Sequence, residues 1–144
     1  MLKRLAWFAA ALIAAWLLWM TLRPNHEVAA ELVPLTASAT ARGISSHLLI
    51  DLAGNIVVFV PLGAALAVAT WPPRSRPAGR RRFDPRWWLT VAAAGFVLSL
   101  GIEVAQFFIP TRVTDVDDVI LNTLGTLAGA AVVSLAAQWY TERK

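Results

Sequence analysis

The sequence predicts an all-α protein, a four-helix transmembrane bundle with both termini on the cytoplasmic side. Three observations carry that reading. The composition is 58% hydrophobic and 15% charged, where soluble domains carry about 25% charged residues. The apolar residues fall in four long blocks rather than in alternation, and the mean hydropathy is +0.59. Lys and Arg are divided unequally between the two sides that four spans would define. These features exclude a disordered chain, a soluble enzyme domain and a disulfide scaffold.

The first block, Leu5 to Leu22, has 18 residues with no charge and no proline. At 1.5 Å per residue it covers about 27 Å, enough to span a bilayer. It is longer than a signal-peptide apolar region and carries Trp7, Trp16 and Trp19, so a permanent helix is expected despite the small residues at Val28-Ala29-Ala30. An outer loop over residues 23–47 follows, with a weak pattern for a short interfacial helix from Glu27 to Leu35.

The second block, Leu52 to Trp71, has Asn55 as its strongly polar residue, and Pro61-Leu62-Gly63 predicts a kink. The loop Pro72–Arg86 carries six arginines among Pro72, Pro73, Pro77 and Gly79. It is read as a topology determinant that touches lipid headgroups, not as a nucleic-acid site.

The third block, Trp87 to Phe108, contains Glu103 and Gln106 near its end, and the fourth, Val119 to Trp139, has Asn122 near its start. Helices are expected because backbone groups in lipid must be satisfied within the segment. The termini and the Pro72–Arg86 loop together hold 10 Lys and Arg, against 3 on the opposite side. The basic side is therefore predicted to be cytoplasmic. Trp71, Trp87, Trp88, Trp139 and Tyr140 mark its interface.

Cysteine is absent, and His26 and His47 are the only histidines. Thiolate sites and a histidine-built metal centre are excluded, and no metal or cofactor is expected. The informative residues are polar ones within apolar blocks. Asp51 and Asn55 are four apart and share a helix face. Ser99, Glu103 and Gln106 recur at helical spacing at the outer end of the third block. Asp115, Asp118 and Asn122 do the same at the start of the fourth, with Arg112 in the turn Ile109–Thr114 between them. Three polar faces at one depth are expected to turn inward around one outward-facing pocket. A carboxylate at depth costs several kcal/mol unless paired or hydrated, and Arg112 is the expected partner of Glu103. A purely structural ion pair that locks helix ends is the competing reading. Thr114-x-x-Asp117 resembles a capping box, and Gly125-x-x-x-Gly129 marks a face for close helix packing.

The ordered series resembles the VanZ-like family of small bacterial membrane proteins. The matching elements are Leu32-Val33-Pro34-Leu35, then Asp51-x-x-x-Asn55-x-x-x-Phe59-x-Pro61-Leu62-Gly63. The strongest is Ser99-x-x-x-Glu103-x-x-Gln106 followed by Arg112-x-x-Asp115-x-x-Asp118-x-x-x-Asn122-x-x-Gly125-x-x-x-Gly129. The likeness covers residues 5–139, and the whole chain, 1–144, is read as one membrane domain. Glu31 and Leu35 depart from the family's Asn-Leu-x-Pro-Phe piece. The resemblance implies a multi-pass protein of the bacterial cytoplasmic membrane. It also implies that Asn55, Glu103, Gln106, Arg112, Asp115, Asp118 and Asn122 are signature polar positions. The family's name comes from members linked to low-level resistance to the glycopeptide teicoplanin.

Two functions compete. One is a non-enzymatic protein that binds an envelope lipid or a glycopeptide-type ligand through Asp51, Asn55, Glu103, Gln106, Arg112, Asp115, Asp118 and Asn122. Arg112 would then meet an anionic headgroup. The other is an intramembrane enzyme acting on a lipid-linked substrate, with Glu103 or Asp115 as acid or base. In that case Asp115 and Asp118 could hold Mg²⁺ or Ca²⁺ through oxygen. The P-loop, nucleophile-elbow and His-Glu-x-x-His signatures are all missing, which favours binding over catalysis. Membrane lipids are the expected partners, and nucleic acid is not.

Overall fold

The computed structural model describes residues 1–23, 52–72, 84–110 and 115–143. Helix α1 runs Leu2–Thr21. A π-helical turn, Leu52–Val57, leads directly into α2, Val58–Thr70. Helix α3 spans Pro85–Phe107 and α4 spans Val116–Glu142. Among the described residues there is no strand.

Caps set the helix boundaries. Asp84 caps α3, accepting a bond from the Arg86 amide at 3.1 Å, with Pro85 in the first helical position. That proline has no amide to lose there, and its fixed φ suits the helix start. Asp115 caps α4, accepting from the Asp117 amide at 2.9 Å. The expected Thr114-x-x-Asp117 box is thus replaced by a cap one residue later, and Thr114 itself lies outside the described residues. Asp117 and Asp118 follow in the first turn, where the partial positive charge of the helix end favours acids.

The kink expected at Pro61 takes a different form. Helix α2 continues through Pro61, and the irregularity is the π turn before it. Pro61 has no N–H for the carbonyl four residues earlier, that of Val57, and its ring crowds that oxygen. The π turn ends at Val57, so the wider winding falls on the turn that proline disrupts.

Helix α2 packs against both α1 and α4, and α3 lies mainly on α4. On α1 the inward face is Ala6, Ala10 and Leu17. On α2 it is Phe59, Leu62, Gly63, Leu66 and Ala67. The seam between α2 and α4 is a backbone contact. A Cβ on Gly63 would strike the Thr126 carbonyl, one on Gly125 the Ile56 carbonyl, and one on Gly129 the Val60 carbonyl. Three glycines let two helices touch without intervening side chains, as small-residue faces do in membranes. At one end of the bundle the Lys3 ammonium donates to the Trp71 carbonyl at 2.6 Å. There Trp71 and Trp87 meet edge to face at 5.0 Å.

The polarity of the surface is inverted relative to a soluble bundle. Leu89, Phe96, Val97, Leu100, Val104 and Phe107 stand exposed along α3, while Ser99, Thr126, Asn122 and Ser134 are buried. Helices α1, α3 and α4 are long and apolar enough to cross a membrane, and the apolar part of the second element, Gly54–Thr70, is shorter.

Candidate functional site

The C-terminal ends of α1 and α3 and the N-terminal starts of the π turn and α4 lie at the same end of the bundle. Every helix end leaves backbone groups without helical partners. The polar side chains here serve several of them. Gln106 donates to the Thr21 carbonyl, in the last turn of α1, at 3.0 Å. Glu103 accepts from the Asp115 amide at 3.0 Å through Oε2. In a capping box the third helical residue would return that bond to the cap. The third residue of α4 is Asp118, and it is engaged elsewhere: its Oδ1 accepts from the Asn55 amide at 2.6 Å. Glu103, from a different helix, takes the vacated role. This single exchange ties α3 to α4 and α4 to the π turn.

One layer deeper, Asn122 donates to the Ser99 hydroxyl oxygen at 2.8 Å, and the Thr126 hydroxyl donates to the Asn122 carbonyl at 2.9 Å. Ser99 and Thr126 are fully buried. The other amide atom of Asn122, Oδ1, is buried without a hydrogen-bond partner. Such a group costs about 1–3 kcal/mol, and an orphan of this kind calls for an explanation.

Of the residues singled out from sequence, Asn55 and Asp118 are brought together, as are Glu103 and Asp115. Gln106 lies at the same end, and Asn122 pairs with Ser99. Asp51 and Arg112 lie outside the described residues, and with them the expected Glu103–Arg112 contact. The Gln106–Thr21 link was not anticipated, because its acceptor is a backbone carbonyl on a helix with no polar face. Unpaired carbonyls in the last turn of α1 were the one available signal. A cleft of about 270 Å³ beside this layer is lined by Glu103, Val104, Phe107 and Phe108. Among the described residues no three acidic or histidine side chains converge as a metal site.

Long apolar helices, an apolar exterior and a buried polar layer define a small helical membrane protein. The chain belongs to the VanZ/LLP1 family, whose model matches residues 6–137. It is 28% identical over 119 residues to Protein VanZ of Enterococcus faecium. That alignment covers 83% of this chain and 61% of the relative, so the chain spans about three-fifths of that protein's length. No solved structure matches it.

Proposed function

We propose that this protein is a multi-pass component of the bacterial cytoplasmic membrane that binds an envelope lipid or a glycopeptide-type ligand. The site is the polar layer built on Asn55, Glu103, Gln106, Asp115, Asp118 and Asn122, with Asp51 and Arg112 as further members. Four spans place both termini and the Pro72–Arg86 loop in the cytoplasm and turn the layer outward. The observation that carries this reading is Glu103: a carboxylate only 8% exposed, beside a cleft walled by Val104, Phe107 and Phe108. An ionisable group inside a transmembrane helix marks a functional site by default, and this one adjoins space that a ligand can enter.

Catalysis by Glu103 or Asp115 is the weaker alternative. The Asp115 side chain accepts from the Asp117 amide, and Glu103 accepts from the Asp115 amide. One oxygen of each carboxylate is thus engaged at the start of α4.

The test is lipid extraction and mass spectrometry on purified wild type and Glu103→Gln. The Gln side chain keeps an oxygen for the Asp115 amide, so the helix junction survives while the charge is lost. Wild type is expected to retain a defined envelope lipid that the variant loses while remaining folded. Identical lipid content in the two proteins would refute the reading. In cells, unchanged function in both Glu103→Gln and Arg112→Gln would remove the site from consideration.

A further inference from the structure

We propose that Asn55 is a two-position hydrogen-bond switch. It donates to Asp118 in this structure, and it passes to Asn122 when another group engages Asp118 from the end of the bundle. The inference concerns how the polar layer rearranges, and it does not depend on which ligand the layer binds.

The positions follow from one face of α4. Asp118, Asn122, Gly125 and Gly129 are spaced 4, 3 and 4 residues apart, so they share that face. Two contacts of the facing element bracket Asn122. Above it, the Asn55 carboxamide donates to Asp118 Oδ1 at 2.6 Å. Below it, a Cβ on Gly125 would strike the Ile56 carbonyl and lie 3.0 Å from the Ile56 Cα. Residues 55 and 56 are adjacent, so together they cover the stretch of α4 from Asp118 to Gly125. Asn122 stands within that stretch, about one turn from each contact.

The two acceptors compete unequally for one carboxamide. A carboxylate makes a stronger hydrogen bond than a neutral amide oxygen, so Asp118 holds Asn55. The consequence falls on Asn122, whose Oδ1 is buried without a partner. Its bonded neighbours do not serve that atom. Ser99 meets the Nδ2 arm of the same carboxamide, and the Thr126 hydroxyl goes to the Asn122 backbone carbonyl. The second N–H of Asn55 does not reach Oδ1 while the side chain is held at Asp118. Once released, the same carboxamide has the donor that Oδ1 lacks.

The surroundings allow the movement. Asn55 and Asp118 are half-buried, and Asp118 lies in the first turn of α4 at the bundle end. Asn55 sits in the π turn, whose wider winding departs from the regular helix. A Cβ on the preceding Gly54 would meet no atom within 4 Å, so that part of the turn has open space beside it. Asn122 is only 4% exposed and is bonded to α3. The exchange therefore carries an event at the rim one turn deeper, to the place where the second element, α3 and α4 meet.

The experiment is a double-mutant cycle of Asn55→Ala and Asn122→Ala on the purified full chain, in the wild type and in Asp118→Ala. Unfolding by SDS in mixed micelles, followed by circular dichroism, gives the folding equilibrium constant of each variant. With Asp118 present the two residues do not bond, and their effects should multiply to within about twofold. With Asp118 removed they should become coupled by about tenfold, the factor that about 1.4 kcal/mol produces. Asp118→Asn keeps the shape and removes the charge, and it decides the matter if Asp118→Ala does not fold. There the two amide oxygens compete on equal terms, and the coupling should be about threefold. Independent effects in every background would overturn the switch. Coupling of equal size with and without the Asp118 charge would also overturn it, because Asn55 would then serve both acceptors at once.

Discussion

Gly63→Ala tests the backbone seam between α2 and α4. The added methyl would fall on the Thr126 carbonyl oxygen, with the carbonyl carbon at 2.6 Å and the Cα at 2.8 Å. Ordinary carbon contacts lie at about 3.5–4.0 Å, so the helices must part by roughly 1 Å. Neither partner is a flexible side chain, so local relief is unavailable. A gap of that size forfeits about a quarter to a half of each dispersion contact across the seam. Gly125 and Gly129 belong to the same seam and would be lifted off Ile56 and Val60 with it. Overpacking costs about 1–3 kcal/mol, and a site opposed only by backbone belongs at the upper end, about 2–3 kcal/mol. Gly101→Ala is the matched control. It adds the same methyl to a helical glycine with no atom within 4 Å, and should be neutral or stabilise by up to about 1 kcal/mol. Unfolding by SDS in mixed micelles, followed by circular dichroism, measures both. Equal stability of the two variants within about 0.5 kcal/mol would show that the seam is not a backbone contact.

Cysteines placed singly at Ser38 and Ser75 should label from opposite sides of intact cells, and labelling of both by an external impermeant reagent would refute the four-span topology. Asp84→Ala removes the cap of α3 and should lower stability by about 0.5–2 kcal/mol, with Asp84→Asn nearly restoring it in the same SDS titration. Gln106→Leu should free the last turn of α1, seen as faster amide hydrogen exchange at its C-terminal end while α4 is unchanged. Glu103→Ala, which removes the acceptor for the Asp115 amide, should destabilise by about 1–3 kcal/mol, whereas Glu103→Gln should cost clearly less.

The helices were legible because the apolar residues fall in four blocks of about 20, the length a helix needs to cross a bilayer. Their ends were not: the sequence reading begins α3 at Trp87 and α4 at Val119, and both helices start two or three residues earlier. Asp84 and Asp115 belong to the helix start, although they stand outside the apolar blocks. The glycine pattern at 125 and 129 announced close packing, but nothing in it named Ile56 and Val60 as the opposing groups. The polar layer was legible as a set of residues at one depth and less so as a set of bonds. Asp118 shares a face with Asn122, yet it bonds Asn55 on another element. Pairing between helices depends on rotation about each axis, and spacing along one helix does not fix that. The π turn was invisible, since proline predicts a disturbance without saying how the chain absorbs it.

That turn makes the direction of Asn55 a matter of residue count. A π turn holds one residue more than the α turn it replaces, and Leu52–Val57 spends that surplus just where Asn55 must reach Asp118. Removing one residue from the segment would restore regular winding and swing everything upstream by about 100° around the axis, carrying Asn55 away from α4. Most single substitutions in the segment leave that phase intact. This stretch should therefore tolerate changes of sequence far better than changes of length.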